Sequence, residues 1–345
     1  MCEPSPEISR NEVVSIVIVS WNAAAKLRGC LRSIRDCLTD FDYEVIVVDN
    51  ASEDGSQAMI EREFPDFLCI QTGANLGFSR GVNRGLQATT GGFVLLLNPD
   101  TALSHNAVQA LRDYLDGHSD VGAVTGPILD ESGDVFRALR KPPKAWSFFL
   151  TSCSLRHVIY RLPAVADRLL VTPREYRDNG EIGDIHGALF MVRRAVLDQV
   201  GGADEAFFLY LADTDLSIRI HRAGWKLGRV AEGSVTHVGA HSAQRVGVPV
   251  VVNFHLSRLR LFVKHFGASA AAGLLLLGAL ESMALLVVGA LCSMVRARGT
   301  SKTAQRLAVS RKLARLYLAQ SFRAITEGTL FDPQRIDGTQ SLDMN

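Results

Sequence analysis

Five short stretches of this 345-residue sequence concentrate side chains able to grip a polar ligand, take a proton or hold a cation: Trp21-Asn22, Asp49-Asn50, Asn75 to Asn83, Asn98-Pro99-Asp100 and Asp213-Thr214-Asp215. A carboxylate held against a hydroxyl can take its proton, and a carboxylate oxygen is a natural ligand for a hard cation. His237, in the run VTHVGAHS, adds an imidazole that can ligate a metal, with His241 a weaker second choice. Each has a plain structural alternative. Pro99-Asp100 is ordinary turn vocabulary. Asp213 or Thr214 ahead of Leu216-Ser217-Ile218 is a normal helix entry. A lone histidine at a strand end is more often a satisfied polar group than a ligand.

The elements that must position these residues are legible in the hydrophobic pattern. Val13 to Ser20 (VVSIVIVS) is short, β-branched and almost wholly apolar, which fits a parallel strand covered on both faces. Leu27, Leu31 and Ile34 follow at helical spacing. Further strands are expected at Tyr43 to Val48, Leu68 to Gln71 and Phe93 to Leu97. Between them lie a short helix carrying Met59 and Ile60 and a helix over Ser79 to Thr89 with Val82 and Leu86 facing inward. This β-α-β-α-β-α-β order predicts an α/β fold, a doubly wound parallel sheet with right-handed crossovers. Ligands of such sheets bind beyond the carboxyl ends of the strands. The polar clusters after the four strands are therefore expected to converge on one crevice.

Composition narrows the function. A net charge of +1 argues against a nucleic-acid partner bound through phosphate neutralisation. The six cysteines show no CxxC spacing and read as reduced, mostly core-filling thiols. The amino-terminal MCEPSPEISRNE carries no apolar stretch of the secretory kind, so the catalytic body is expected to face the cytoplasm. A dinucleotide-dependent dehydrogenase would place GxGxxG directly after the first strand. This sequence has SWNAAAK there, which also lacks the Gly-rich basic loop of a sugar-nucleotide pyrophosphorylase.

The segments VSIVIVSWN, VIVVDNASEDGS, NLGFSRGVNRG and LLLNPD resemble, in order, the signatures of family 2 glycosyltransferases of the GT-A fold. The resemblance is closest to the rhamnosyltransferase-like branch. A second block, GALFMVRRAVLDQVGGADEAFFLYLADTDLSIRIHRAGW, is similar to the acceptor and catalytic region of that family. The resemblance covers Val13 to His241 and implies a role for each stretch. Asp49 would hold the base and ribose of a nucleotide. Ser20, Asn22, Asn50, Asn75, Gly77, Asn83 and Asn98 would complete a nucleotide-sugar site. Asp100 would hold a divalent cation, Mg or Mn, against the diphosphate, with His237 as a further metal ligand. Asp213 would be the catalytic base of an inverting transfer, and Gly187, Ala188 and Asp215 would meet the acceptor, with Asp184 and His186 close by. The sequence departs from the family pattern at Asn98, where many relatives carry the first aspartate of DxD, and at Ala212, where many carry a glutamate.

Outside these motifs, Arg137 to Glu181 begins basic and aromatic (RALRKPPKAWSFFL) and is expected to shape the acceptor pocket. Lys141, Lys144 and Arg156 either meet a lipid-linked pyrophosphate or form a solvated basic surface. Ala268 to Val295 is the longest apolar stretch. Its first 13 residues, to Leu280, would reach only about 20 Å, short of a ~30 Å hydrocarbon core. A single span would put Glu281 in mid-bilayer at a cost of about 3 kcal/mol. A membrane hairpin, interfacial helices and a buried helix pair are the alternatives. Lys302, Arg306, Arg311, Lys312 and Arg315, opposite Val309, Leu313, Leu316 and Tyr317, make a basic amphipathic pattern suited to anionic headgroups.

The expected organisation is a GT-A type glycosyltransferase domain over residues 10–250, with a mostly parallel central sheet, a nucleotide-sugar half (10–105) and an acceptor half (106–250). A helical membrane-associated region (251–330) and a flexible tail (331–345) follow. The expected activity is transfer of a sugar, rhamnose first, from a nucleoside-diphosphate sugar to a glycan or lipid-linked acceptor, at the cytoplasmic face of the cell membrane. A polyprenyl-phosphate sugar synthase and a degenerate, non-catalytic nucleotide-sugar scaffold are the rivals.

Overall fold

The apolar run of the first strand needs cover on both faces, and it receives it. In the computed structural model, which describes residues 13–38, 42–136, 139–141, 162–237 and 248–295, β1 (Val14–Ser20) lies inside an eight-stranded sheet. Its neighbours are β2 (Tyr43–Asp49) and β4 (Phe93–Leu97), both parallel to it, and β3 (Leu68–Gln71) extends the parallel edge. Val14, Ile16 and Ile18 enter one core with Leu27, Leu31 and Ile34 of α1 (Ala24–Cys37) and Met59 and Ile60 of α2 (Ser56–Glu63). Val17 faces the other core, with Val82 of α3 (Phe78–Gln87). Each fully buried aliphatic chain contributes roughly 1.5–3 kcal/mol, so the run locks the strand in place.

The sheet is mixed beyond its first four strands. After β5 (Thr101–Leu103), α4 (Ala107–Gly117), β6 (Val121–Thr125) and β7 (Ile128–Leu129), the chain passes α5 (Pro163–Leu169) and β8 (Gly180–Ile182). It then enters β9 (Leu189–Arg193), α6 (Arg194–Val200), α7 (Ala212–Arg222), β10 (Lys226–Arg229) and β11 (Val235–His237). The spatial order is β3-β2-β1-β4-β9-β6-β10-β8. Strand β9 runs antiparallel to both neighbours, and β8 runs antiparallel to β10. The central sheet as a whole is therefore mostly parallel, as expected, with the parallel order of the first hundred residues kept in β3-β2-β1-β4. A small sheet, β5-β11-β7, stands apart from it.

Contacts divide the chain into two units. One holds both sheets, within residues 1–143, 167–208 and 212–240; the other lies within 144–166, 209–211 and 241–345. The second unit contains α8 (Val248–Val295), broken at Gly267, whose φ of 84° and ψ of 174° lie outside the helical region. Within this unit the Ser257 hydroxyl donates to the Leu209 carbonyl at 2.8 Å, and the Tyr210 ring meets Phe254 edge-on. By length and composition, the stretch Asn253–Leu280 is long and apolar enough to cross a membrane. The basic segment expected at residues 302–315, along with Lys144, Arg156 and His241, lies outside the described residues.

Close approach of α3 to β1 is set by two glycines. A Cβ on Gly81 would fall 2.6 Å from Val19 Cγ1, and one on Gly85 2.4 Å from Val17 Cγ1. Elsewhere in a helix, Gly→Ala gains up to about 1 kcal/mol from propensity. Here the methyl meets a rigid β-branched side chain in a closed core. Gly85→Ala is expected to lower the unfolding free energy by about 1–3 kcal/mol, read as a fall in the urea midpoint. A midpoint at or above wild type would show that β1 and α3 can separate freely.

Candidate active site

The antiparallel run of β9 brings two distant stretches of sequence together. Leu97, the last residue of β4, pairs with Leu189, the first of β9. The Asn98 amide then donates to the Ala188 carbonyl at 3.1 Å. Gly187-Ala188 therefore lies beside Asn98-Pro99-Asp100, although about ninety residues separate them. From there the contacts reach α7. The Gly187 amide donates to Asp213 Oδ2 at 2.8 Å, and the Thr214 amide donates to Asp213 Oδ1 at 2.8 Å. A Cβ at position 187 would come within 3.1 Å of Asp213 Oδ2, so a side chain there would crowd the carboxylate. The Ser217 hydroxyl donates to the Asp213 carbonyl and accepts from the Ile185 amide, a further stitch between α7 and the entry of β9.

Asp213 is partly enclosed and keeps an exposed edge. Burial raises its pKa, opposed by the hydrogen bonds from the Thr214 and Gly187 amides and by the Arg140 charge. Nearby, burial also raises Asp184, which pairs with Arg140 and accepts from the Thr214 hydroxyl. His186 is pushed down to about 4 by burial, so its ring is neutral at pH 7. Its Nδ1 accepts from the Ala188 amide at 3.2 Å, which assigns the proton to Nε2. The exposed Phe136 ring meets His186 edge-on at 6.1 Å. Asp184 and His186, expected near the acceptor, thus stand with Asp213 in one cluster. Arg140, which sequence reasoning left unassigned within a basic run, belongs to it.

The second half of the site forms around Asp100. Strand β11 pairs antiparallel with β5 so that His237 stands opposite Thr101. His237 Nε2 lies 3.0 Å from Asp100 Oδ1, and Lys26 Nζ of α1 lies 3.6 Å from Oδ2. Burial alone would raise the Asp100 pKa, but the His237 hydrogen bond and the charges of His237 and Lys26 hold it below the usual carboxylate range. Among the described residues no group of three or more His, Cys, Asp or Glu side chains forms a metal site. One carboxylate and one imidazole converging at 3.0 Å nonetheless suit a divalent cation whose remaining ligands are diphosphate oxygens and water. The residues present fit that group.

The loops after β1 and β2 are stitched together at the same sheet edge. Asp49 is buried and accepts from both the amide and the hydroxyl of Ser52. Asn22, at φ 49°, accepts from the Glu53 amide through its side chain and donates its own amide to the Ser52 hydroxyl. The buried Ser20 hydroxyl has no hydrogen-bond partner among the described residues. Asn50 donates to the Gly77 carbonyl, and the Asn75 side chain accepts from the Gly77 amide.

Two expected site residues carry structural contacts instead. Asn83 donates to the Ala203 carbonyl and Glu205 and accepts from the Ala203 amide, so both ends of its amide are engaged in clamping the 203–205 segment. Asp215, expected at the acceptor, is fully enclosed and paired with Arg219 at 2.8 Å. Arg219 in turn holds the carbonyls of Val200, Gly201 and Gly202 at the end of α6. An enclosed, ion-paired carboxylate offers no surface to a sugar; Asp215 is a strut between α6 and α7.

The neutral His186 leaves a signature in stability. Its folded pKa of about 4 lies below the ordinary value of 6.5. Between those values the unfolded chain binds a proton that the folded chain refuses, so stability is lost as pH falls from 6.5 toward 4. The unfolding free energy of wild type minus that of His186→Gln is expected to be level above pH 6.5 and to decline across that window. A flat difference would place the imidazole in a solvent-like setting.

Residues 15–201, more than half of the chain, match the sequence profile described as Glycosyl transferase family 2. Over 247 residues the chain is 29% identical to N-acetylglucosaminyl-diphospho-decaprenol L-rhamnosyltransferase of Mycobacterium tuberculosis, covering 68% of this chain and 78% of that one. It is 24% identical over 221 residues to the low-salt glycan biosynthesis hexosyltransferase Agl10 of Haloferax volcanii, covering 63% and 64% of the two chains. The crystal structure of GalNAc-T7 with UDP, GalNAc and Mn2+ superposes with a TM-score of 0.50 at 16% identity, covering 73% of this chain and 51% of that one. At that identity the likeness speaks to fold alone, and the mostly parallel, helix-flanked sheet is of the GT-A type. The chain belongs to glycosyl transferase family 2.

Proposed function

We propose that the chain transfers a sugar, with rhamnose the first choice, from a nucleoside-diphosphate sugar to a hydroxyl of a lipid-linked cell-envelope glycan, inverting the anomeric centre. The observation that carries this reading is the hydrogen bond from Gly187 to Asp213, made by the loop that also receives the Asn98 amide. It sets a carboxylate of raised pKa beside the turn that carries Asp100. Such a carboxylate suits a general base. The acceptor hydroxyl gives its proton to Asp213 while its oxygen bonds to the anomeric carbon. The bond from that carbon to the diphosphate breaks on the opposite face, and the nucleoside diphosphate departs with the electron pair. Asp49, with Ser20, Asn22 and Asn50 around it, receives the base and ribose. A divalent cation held by Asp100 and His237 would supply positive charge to the departing diphosphate.

The name of the mycobacterial relative supports rhamnose and a lipid-diphosphate acceptor. Association with the cytoplasmic face of the membrane draws on α8. There Leu276, Leu280, Met283 and Val287 are each more than half exposed, and their spacing puts them on one helical face. Residues 268–295 form a helix about 42 Å long, enough for a hydrocarbon core.

Asp213→Asn is expected to lower kcat by about 10²–10⁴ while nucleotide affinity, measured by calorimetry, stays within about twofold. Thermal shift with a panel of dTDP-, UDP- and GDP-sugars is expected to single out one nucleotide class. Stabilisation should depend on Mn2+ or Mg2+ and weaken in Asp100→Asn. No response to any nucleotide sinks the transferase mechanism, and a metal-independent response removes the cation from it. In flotation with anionic vesicles, wild type is expected with the lipid and the triple variant Leu276→Lys, Leu280→Lys, Met283→Lys in the soluble fraction. Equal flotation would take this face out of membrane binding.

A further inference from the structure

Asp100 is the one carboxylate of its turn, because residue 98 is asparagine. Both of its oxygens are engaged. His237 Nε2 lies 3.0 Å from Oδ1, and Lys26 Nζ lies 3.6 Å from Oδ2. Lys26 sits in the first turn of α1, which leaves the carboxyl end of β1, the sheet edge where ligands of this architecture bind. Its side chain is 37% exposed, and its four-carbon stem lets the ammonium swing by several ångströms.

A divalent cation entering between Asp100 and His237 would come close to that ammonium, and like charges at such range repel. The diphosphate on the same cation would then offer that ammonium a new anionic partner. We infer that Lys26 is a diphosphate-binding residue of the donor site. It guards Asp100 in the free protein and moves onto the diphosphate when donor and cation bind. This rests on the assignment of Asp100 and His237 to the cation and adds a second, protein-borne positive charge to the leaving group. The inference concerns binding of the phosphates, with no role for Lys26 in proton transfer.

The test is calorimetry on the full chain with dTDP, UDP and thymidine, in Mn2+ and in EDTA, for wild type, Lys26→Met and Lys26→Arg. For the diphosphate that wild type binds, Lys26→Met is expected to weaken affinity about ten- to hundredfold in Mn2+, and by less in EDTA, where no cation displaces the lysine from Asp100. Thymidine binding should be unchanged, and Lys26→Arg should recover most of the loss. Mn2+ alone, followed by the free-ion EPR signal, is expected to bind Lys26→Met at least as tightly as wild type, because a competing cation has left Asp100. Equal diphosphate affinity in wild type and Lys26→Met overturns the inference and leaves Lys26 as a counter-ion of Asp100. Equal weakening of thymidine and diphosphate also overturns it, in favour of a structural role for α1. If Asp100→Asn abolishes the Mn2+ effect in either case, the cation site survives the failure of the lysine. A wild type that binds no diphosphate removes both.

Discussion

The site depends first on the direction of one strand. Had β9 joined β4 in parallel, its amino end would lie at the opposite edge of the sheet from Asn98-Pro99-Asp100. Because it runs antiparallel, the residues that lead into it, Asp184 to Ala188, stand at the ligand edge. The bond from the Asn98 amide to the Ala188 carbonyl continues the ladder by one step past the strand. The bond from Gly187 to Asp213 then hands the position on to α7. Antiparallel pairing fixes register tightly when both faces are buried, and β4 and β9 are both lined with buried aliphatic and aromatic chains. The loop contacts that link the two carboxylate centres are therefore anchored on a buried strand pair.

A second set of contacts holds the segment before α7. The Phe78 amide donates to the Phe208 carbonyl, the Ser79 hydroxyl to the Phe207 carbonyl, and Asn83 clamps Ala203 from both sides. The residues on this side of each bond, Phe78, Ser79 and Asn83, lie on α3, whose close approach to β1 rests on Gly81 and Gly85. The NLGFSRGVNRG segment thus serves two ends. Its first residues, Asn75 and Gly77, organise the loop beside Asn50, and its later ones brace the segment before α7. Arg219 closes the other flank by tying Asp215 to the end of α6.

The first four strands and three helices were readable from apolar runs, unbroken in β4 and nearly so in β1 and β2, and from a three-to-four spacing in the helices. Strand β3, short and half-exposed, was marked by its place between two helices. The direction of β9 was not. LFMVR is as apolar as FVLLL, and nothing local tells a parallel strand from an antiparallel one. The positions of Asp49, Asp100, Asp213 and His237 could be singled out from their place after strands and from family likeness. Their partners could not. Lys26 meets Asp100 across 74 residues, and Arg140 meets Asp184 across 44; neither pair has a sequence spacing to betray it. Asn83 and Asp215 mislead for the opposite reason. A polar side chain inside a ligand-binding motif looks functional, yet an asparagine whose carbonyl and amino groups both meet backbone, or an aspartate sealed behind an arginine, is consumed by structure.

What remains is a division of labour between two carboxylates. Asp213 and Asp100 are the same side chain, and burial presses on both in the same sense, toward the protonated form. At Asp213 burial prevails over two backbone amides and the charge of Arg140, so the pKa rises. At Asp100 an imidazole and an ammonium outweigh it, so the pKa falls. Environments that drive like groups apart assign them different chemistry. A carboxylate of raised pKa with an exposed edge is a better proton acceptor. One of lowered pKa, surrounded by positive charge, stays ionised and is suited to holding a cation. The proposed roles of base and cation ligand accord with these surroundings: two amides and an arginine around Asp213, a histidine and a lysine around Asp100.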